Sequence, residues 1–172
     1  KVECFDQNLS KLSQDMLDIM YQAEGIGLAA QQIGEAIQFC VVDVPEHPDY
    51  PITCILDGKP LSPSLIMPLS MANPVVKTLP SDEYYYEEGC LSFPGINADV
   101  ARAERIIATY QDLDGNKHTL ECDGLLGRCI QHEVDHLNGI LFIDRMEKKT
   151  YAGIKKDVQM LKKQTIEENK TK

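Results

Sequence analysis

Nowhere does the chain hold an apolar run approaching the ~20 residues that a membrane-spanning helix needs, which argues against a helical membrane protein. It also lacks the basic, apolar and small-residue succession of a signal peptide. The first residue is Lys1 rather than Met, so an upstream targeting segment, and with it organellar import, is left open. Basic residues are in deficit: 17 Lys and Arg against 27 Asp and Glu give a net charge of −10. That balance excludes a DNA-binding surface over most of the chain. Paired cysteine spacing is missing too. The six cysteines (4, 40, 54, 90, 122 and 129) are scattered, and a chain of 172 residues is long enough to fold without staples. They read as free, mostly buried thiols of a reducing cytosol, and the chain as cytoplasmic. No internal repeat is present.

What remains is ordinary for a globular protein, with 43% hydrophobic and 26% charged residues, and a length that fits one domain over 1–172. The charge is uneven. Residues 147–172 hold eight Lys against four acids, so this tail carries about +4 and the body about −14.

Along the chain, Leu9, Leu12, Met16, Ile19 and Met20 recur at helical spacing and predict a helix over 8–22, capped by Asn8 or Ser10 and ended by Gly25 and Gly27. The small-residue segment 25–34 follows. Its spacing is wrong for a phosphate loop and no Lys-Ser/Thr follows, so it reads as a tight turn. Residues 37–44 form an apolar, β-branched run expected to be a strand. Six of the nine prolines fall within 45–68, which predicts an irregular surface loop with a short strand at 52–56. Asn73-Pro74-Val75-Val76 begins another strand and residues 83–87 a third. Alternating segments 105–113 and 117–122, joined by Asp114-Gly115-Asn116, predict a hairpin. Asp123 is the expected cap of a helix over 124–137, with Gly139 just past its end. A last amphipathic helix is expected over 151–165, with Ile154, Val158 and Leu161 on one side and Lys155, Lys156, Lys162 and Lys163 around the others.

The helix over 124–137 carries the chemistry. Gln131-His132-Glu133-Val134-Asp135-His136 contains His-Glu-x-x-His. Residues i and i+4 share one helix face, so both imidazoles reach one metal ion. Glu133 lies about 100° round the helix from His132, placed to bond a water on that ion without binding the ion. Two nitrogen ligands and a carboxylate base form the kit for metal-assisted hydrolysis. Leu125, Cys129 and His132 lie on one side of the helix, so the ligands emerge from a largely apolar face.

A catalytic ion needs a third protein ligand and an open position. His47, in the proline-rich stretch, and His118, at the hairpin, are poorly placed. Asp144 or Glu147 would have to serve in a protease of the extended zincin type. Cys90, in the sharply turning Glu88-Gly89-Cys90-Leu91-Ser92-Phe93-Pro94-Gly95, reads in isolation as a packing residue or as a nucleophile paired with a His. As a ligand it is the better third donor, because thiolates bind first-row metals strongly. A zinc metallopeptidase cleaving internal peptide bonds, with an O or N third ligand, and a non-catalytic metal-binding scaffold stay open on these grounds.

Three segments, Gly25-Ile26-Gly27-Leu28-Ala29-Ala30-Gln31-Gln32, Glu88-Gly89-Cys90-Leu91-Ser92 and the His-Glu-x-x-His helix, together and in this order resemble the peptide deformylase family. The resemblance runs from the first helix through Met146. It departs at Gln31, where the family often has Pro or Thr, in a longer proline-rich loop, and in a shortened segment ahead of the first helix.

The resemblance implies an α+β fold in which antiparallel β-sheets surround a central metal-binding helix, with an N-terminal helix and a C-terminal amphipathic helix. It implies a metal-dependent hydrolase that removes the formyl group from N-formylmethionyl peptides of nascent chains and releases formate. Cys90, His132 and His136 would hold one divalent ion, Fe²⁺ by preference, with Zn²⁺, Ni²⁺ or Co²⁺ as substitutes. Glu133 would act as general base and then acid, and Gln32 with the Leu91 N–H as the oxyanion hole. Gly27 would meet the peptide through its backbone, and the methionine side chain would enter a pocket of Ile26, Glu88, Leu125, Cys129 and His132. The basic tail is read as a solvated helix packed on the body or as a contact to ribosomal RNA.

Overall fold

A computed structural model of the chain describes residues 1–47, 51–81 and 83–170. Helix α1 (Gln7–Gln22) buries Leu9, Met16, Leu17 and Met20, while Ile19 stays 42% exposed. Its cap is Asp6, whose Oδ1 accepts from the N–H groups of Asn8 and Leu9 at 3.0 and 3.1 Å, not Asn8 or Ser10 as the spacing predicts. The helix also stops before Gly25: Ala23 is the C-cap and Glu24 takes a positive φ of 54°.

Strand β1 (Gly27–Ala29) runs into a 3₁₀ turn at Ala30–Ile33 and then β2 (Phe39–Val42). The proline-rich stretch 45–68 is more regular than its composition predicts. Positions 48–50 lie outside the described residues, but beyond them come β3 (Cys54–Leu56), β4 (Lys59–Pro60) and a 3₁₀ turn at Pro63–Leu65. Asp57 and Gly58, at φ 50° and 77°, make the two-residue hairpin turn for which an Asp-Gly pair is suited. Pro60 is tolerated because β4 is an edge strand.

The chain continues through β5 (Leu69–Thr78), β6 (Glu83–Gly89), β7 (Asn97–Ala103), β8 (Ile106–Gln111), β9 (Lys117–Cys122), α2 (Gly124–Leu137), a 3₁₀ turn at Phe142–Asp144 and α3 (Lys148–Lys170). β5 begins four residues ahead of Asn73, which sits at φ 53° in a bulge where the pairing register shifts. Asp123 stands at the N-cap position of α2 without capping it. Its Oδ1 instead accepts from the Thr53 N–H at 2.6 Å and ties β3 to the start of the helix.

Among the described residues, seven strands form one antiparallel sheet in the order β1-β2-β5-β8-β9-β3-β4, and β6 pairs with β7. The fold is α+β. β2 shows how the layers are built. Cys40 and Val42 face the core shared with α2, where Leu126, Ile130 and Val134 pack; Phe39 and Val41 face the core shared with α1. A strand buried on both faces reads as an unbroken apolar run, as this one does. The helix bearing the paired histidines thus lies against the middle of the large sheet. The small sheet meets its other side through polar contacts, Arg102 to Asp135 and Arg128 to Val100 O, while Val100 joins Ile96 and Phe142 in a small apolar cluster. α3 leans on that last cluster with Ile154, Val158 and Leu161, and none of its residues is fully buried. No helix among the described residues is long and apolar enough to cross a membrane.

Candidate metal centre

His132 and His136 lie one turn apart on α2, with their Nε2 atoms 3.2 Å apart. Cys90 follows directly on β6. The chain turns tightly there, with the Phe93 N–H donating to Cys90 O at 2.8 Å. Gly89 leaves room for the Asn97 side chain, since a Cβ on it would lie 2.5 Å from Asn97 Oδ1 and push that amide aside. The turn carries Cys90 Sγ to 3.2 Å from His136 Nε2. The sulfur and one nitrogen of each ring all fall within 4.8 Å of one another. A tetrahedral ion with ~2.0–2.1 Å bonds to nitrogen and ~2.3 Å to sulfur separates its donors by about 3.3–3.6 Å. The set therefore fits one first-row divalent ion with little adjustment.

The ring orientation is fixed from behind. His132 Nδ1 lies 3.0 Å from Glu88 Oε2, so Nδ1–H donates to the carboxylate and Nε2 keeps its lone pair for the centre. Glu88 is itself held by Arg102, at 2.6 Å from Nε and 3.0 Å from Nη2, and by Arg128 Nη1 at 2.6 Å. Burial alone would raise its pKa, but the bonds from His132 and Arg102 outweigh it and bring the carboxyl down to about 2. Arg102 also reaches Asp135 Oδ2 at 2.8 Å, and Arg145 clasps the same carboxylate from outside. Burial opposes a thiolate at Cys90, but hydrogen bonds with His132 and His136 win and lower it to about 6. A ligand thiol that is already acidic gives up its proton to an ion at little cost.

Glu133 points to the open side. It is 4% exposed, and among the described residues its Oε2 has no hydrogen-bond partner. An unpaired buried oxygen of this kind is the place for a water or substrate proton. Burial is the main cause that pushes Glu133 up to about 7. Gln32 faces the same space. The Ala29 N–H donates to its Oε1 at 2.8 Å, which leaves Nε2, the donor end, 3.1 Å from Ser92 Oγ and 3.9 Å from Cys90 Sγ.

A cavity of about 710 Å³ opens over these groups. Its walls include Ile26, Gly27, Gln32, Glu88, Cys90, Leu91, Leu125, Cys129, His132 and Glu133; His136 lies deeper and is 6% exposed. Sequence reasoning gathered these residues but missed the charges behind them: the buried Arg102, Arg128 and Asp135, and the exposed Arg145 that pairs with Asp135. A signal for Arg102 was present, since it falls on the inward side of β7 in alternation with Ala98 and Val100. The other candidate ligands lie elsewhere. His118 is bracketed by Asp57 and Asp112, Asp144 accepts from the Leu141 N–H, and Glu147 accepts from the Tyr85 hydroxyl.

Comparison with known proteins places relatives beside this geometry. A family model described as polypeptide deformylase matches residues 1–152. The peptide deformylase of Opitutus terrae is 55% identical over 166 residues, which cover 96% of this chain and 86% of that protein. Peptide deformylase 2 of Gloeobacter violaceus is 47% identical over 148 residues, covering 86% and 71%. Among solved structures, Arabidopsis thaliana peptide deformylase 1B in complex with an inhibitor superposes with a TM-score of 0.80 at 32% identity, covering 98% of this chain and 84% of that one. A peptide deformylase from Legionella pneumophila gives 0.75 at 33% identity, covering 96% and 87%.

Proposed function

The chain belongs to the polypeptide deformylase family, metal-dependent hydrolases that remove the N-formyl group from the N-terminal formylmethionine of newly synthesised proteins and release formate, and from that premise we propose how its own residues carry the reaction. Cys90, His132 and His136 hold one divalent ion. When bound, that ion supplies Lewis acidity and lowers the pKa of a coordinated water to ~7. Glu133 Oε2 takes the proton from the attacking water and returns it to the departing amine. Gln32 Nε2 and the Leu91 N–H donate to the formyl oxygen as negative charge builds there, and such a donor contributes about 10²–10³ in rate. Gly27 offers its backbone to the peptide. The methionine side chain enters the cavity between Ile26, Glu88, Leu125, Cys129 and His132.

One observation carries this reading: the sulfur and two ring nitrogens converge beside a buried Glu133 oxygen that has no partner among the described residues. On the family resemblance we take Fe²⁺ as the native ion, with Zn²⁺, Ni²⁺ or Co²⁺ as substitutes that the same thiolate and imidazole donors accept. Metal analysis of anaerobically purified protein, with a formate-release assay on formyl-Met and unformylated peptides, tests the assignment. Stoichiometric Fe²⁺ with formate from the formylated peptide alone is expected. Full metal content and activity in Cys90→Ala would overturn the ligand set.

We read residues 1–172 as one cytoplasmic domain with 147–172 as a basic helical extension. Lys155, Lys156, Lys162 and Lys163 on α3 are exposed, and they suit the phosphates of ribosomal RNA near emerging chains. Ribosome pelleting at rising salt, with the chain and with a truncation after Met146, checks this. Binding that survives the truncation removes the helix from the interface.

A further inference from the structure

A second cavity, of about 530 Å³, shares part of its lining with the first. Glu46, Ile52, Tyr84 and Glu104 are among its walls. Tyr86, Leu125 and Arg128 line both cavities and so stand between them. Arg128 is the anchored part of this partition. It is 7% exposed, and its Nη1 donates to Glu88 Oε1 at 2.6 Å and to Val100 O at 2.9 Å. Its Nη2 donates to Tyr84 O, and its Cζ lies 5.7 Å from the centre of the Tyr86 ring. A planar guanidinium with three fixed acceptors and an aromatic face is held rigidly, where a shorter or unbranched side chain could fold aside.

We infer that Arg128 is a specificity-determining residue whose tethered side chain ends the first-residue pocket at the length of methionine and shuts off the second cavity. This rests on the reading of the larger cavity as the methionine pocket. Truncation at this position joins the two spaces. It also leaves Glu88 Oε1, Val100 O and Tyr84 O facing a vacancy shaped for a guanidinium, with Glu46 and Glu104 beyond. A substrate arginine side chain can supply the missing group, and a lysine, lacking the fork, matches it less well.

The test uses the metal-loaded enzyme and the ratio of kcat/KM between formyl peptides. In Arg128→Ala the formyl-Arg to formyl-Met ratio should rise at least about tenfold over wild type, and more than the formyl-Lys ratio. A merely structural role would depress every substrate in proportion and leave the ratios fixed. Leu125→Ala opens the same partition without disturbing the ion pairs, so its formyl-Trp to formyl-Met ratio should rise as well. If neither variant shifts its ratio, the partition has no such role. Ile26→Trp fills the larger cavity alone and should cut formyl-Met turnover at least tenfold. Unchanged turnover in that variant would dismiss the methionine pocket itself, and the inference with it, by a result separate from the Arg128 series.

Discussion

A Cβ placed on Gly27 would lie 2.4 Å from Glu133 Oε1 and 2.7 Å from Cys129 Sγ. The glycine therefore holds the carboxylate in place by its lack of a side chain. Gly27→Ala should push Glu133 out of line with the centre while leaving the three ligands untouched. A displacement of about 1 Å at a reacting group costs about 10²-fold. We expect kcat/KM to fall by that order with the metal content unchanged, measured side by side on the same preparation. Wild-type turnover would mean that the carboxylate has room to move without consequence.

Glu133→Gln separates chemistry from stability. Loss of a general base lowers turnover by about 10²–10⁴. The metal-free protein gives a second, pH-dependent readout. Burial pushes the folded-state carboxyl up to about 7, above an unfolded value of ~4.3. A carboxyl raised in this way favours the folded state while protonated, below the unfolded value, and loses that advantage as pH climbs through 7. The loss approaches about 1.4 kcal/mol per pH unit between the two values. Glutamine has no such dependence. Chelator-stripped Glu133→Gln should therefore be more stable than stripped wild type at pH 8 by a few kcal/mol, with the margin closing by pH 4. Denaturant unfolding at both pH values decides it, and parallel curves for the two proteins would refute the burial argument.

How much of this was legible before any coordinates depended on how local the cause was. The face of α2 was readable because His132 and His136 obey helical spacing. The segments around Gln32 and Cys90 were readable only as motifs, since nothing in their periodicity says that a turn after β6 brings a thiol to a helix. The 3₁₀ turns and the short β1 gave no periodic signal. Strand β7 was missed because its inward residues are Ala98, Val100 and Arg102, a weakly apolar set whose partner charges come from distant segments. The hairpin of β3 and β4 was obscured by prolines, although Asp57-Gly58 marked its turn. Asp123 occupied the N-cap position as expected, and its side chain went instead to the Thr53 N–H just ahead of β3. Long-range pairing of charges explains the miss at β7, whereas the other misses come from short elements and turns without a period.

Arg102 joins the two carboxylates behind the histidines, Glu88 and Asp135, and is 5% exposed. Arg102→Met removes the shared cation and leaves two buried acids short of a partner. Breaking a buried pair this way costs about 3–5 kcal/mol, here tempered because Arg128 and Arg145 remain. We expect a lower melting temperature by several degrees in thermal unfolding. His132 would also lose its fixed orientation through Glu88, so affinity for the ion should fall about 10–100-fold in a competition titration. A drop in melting temperature with unchanged metal affinity would confine Arg102 to a packing role.

The acidity of Cys90 offers the most direct check on whether the two rings are held against the sulfur. Burial by itself would make this thiol reluctant to ionise, as it does for the buried Cys40 and Cys129, whose pKa values are pushed well up. Its hydrogen bonds with His132 and His136, and the charge on those rings, bring Cys90 down to about 6. In metal-stripped protein the rate of iodoacetamide modification at Cys90 should therefore rise with a midpoint near pH 6 and level off by pH 7.5, since the thiolate is the nucleophile. Peptide mapping by mass spectrometry should find label on Cys90 and on the exposed Cys4, with Cys40 and Cys129 spared. Restoring the ion should protect Cys90 and leave the labelling of Cys4 as before, because only one of the two sulfurs is then occupied. His136→Ala removes one of the two bonds, so it should move the Cys90 midpoint upward. A midpoint at an ordinary thiol value in the unsubstituted chain would instead mean that sulfur and rings do not meet, and the ligand set would fall with it.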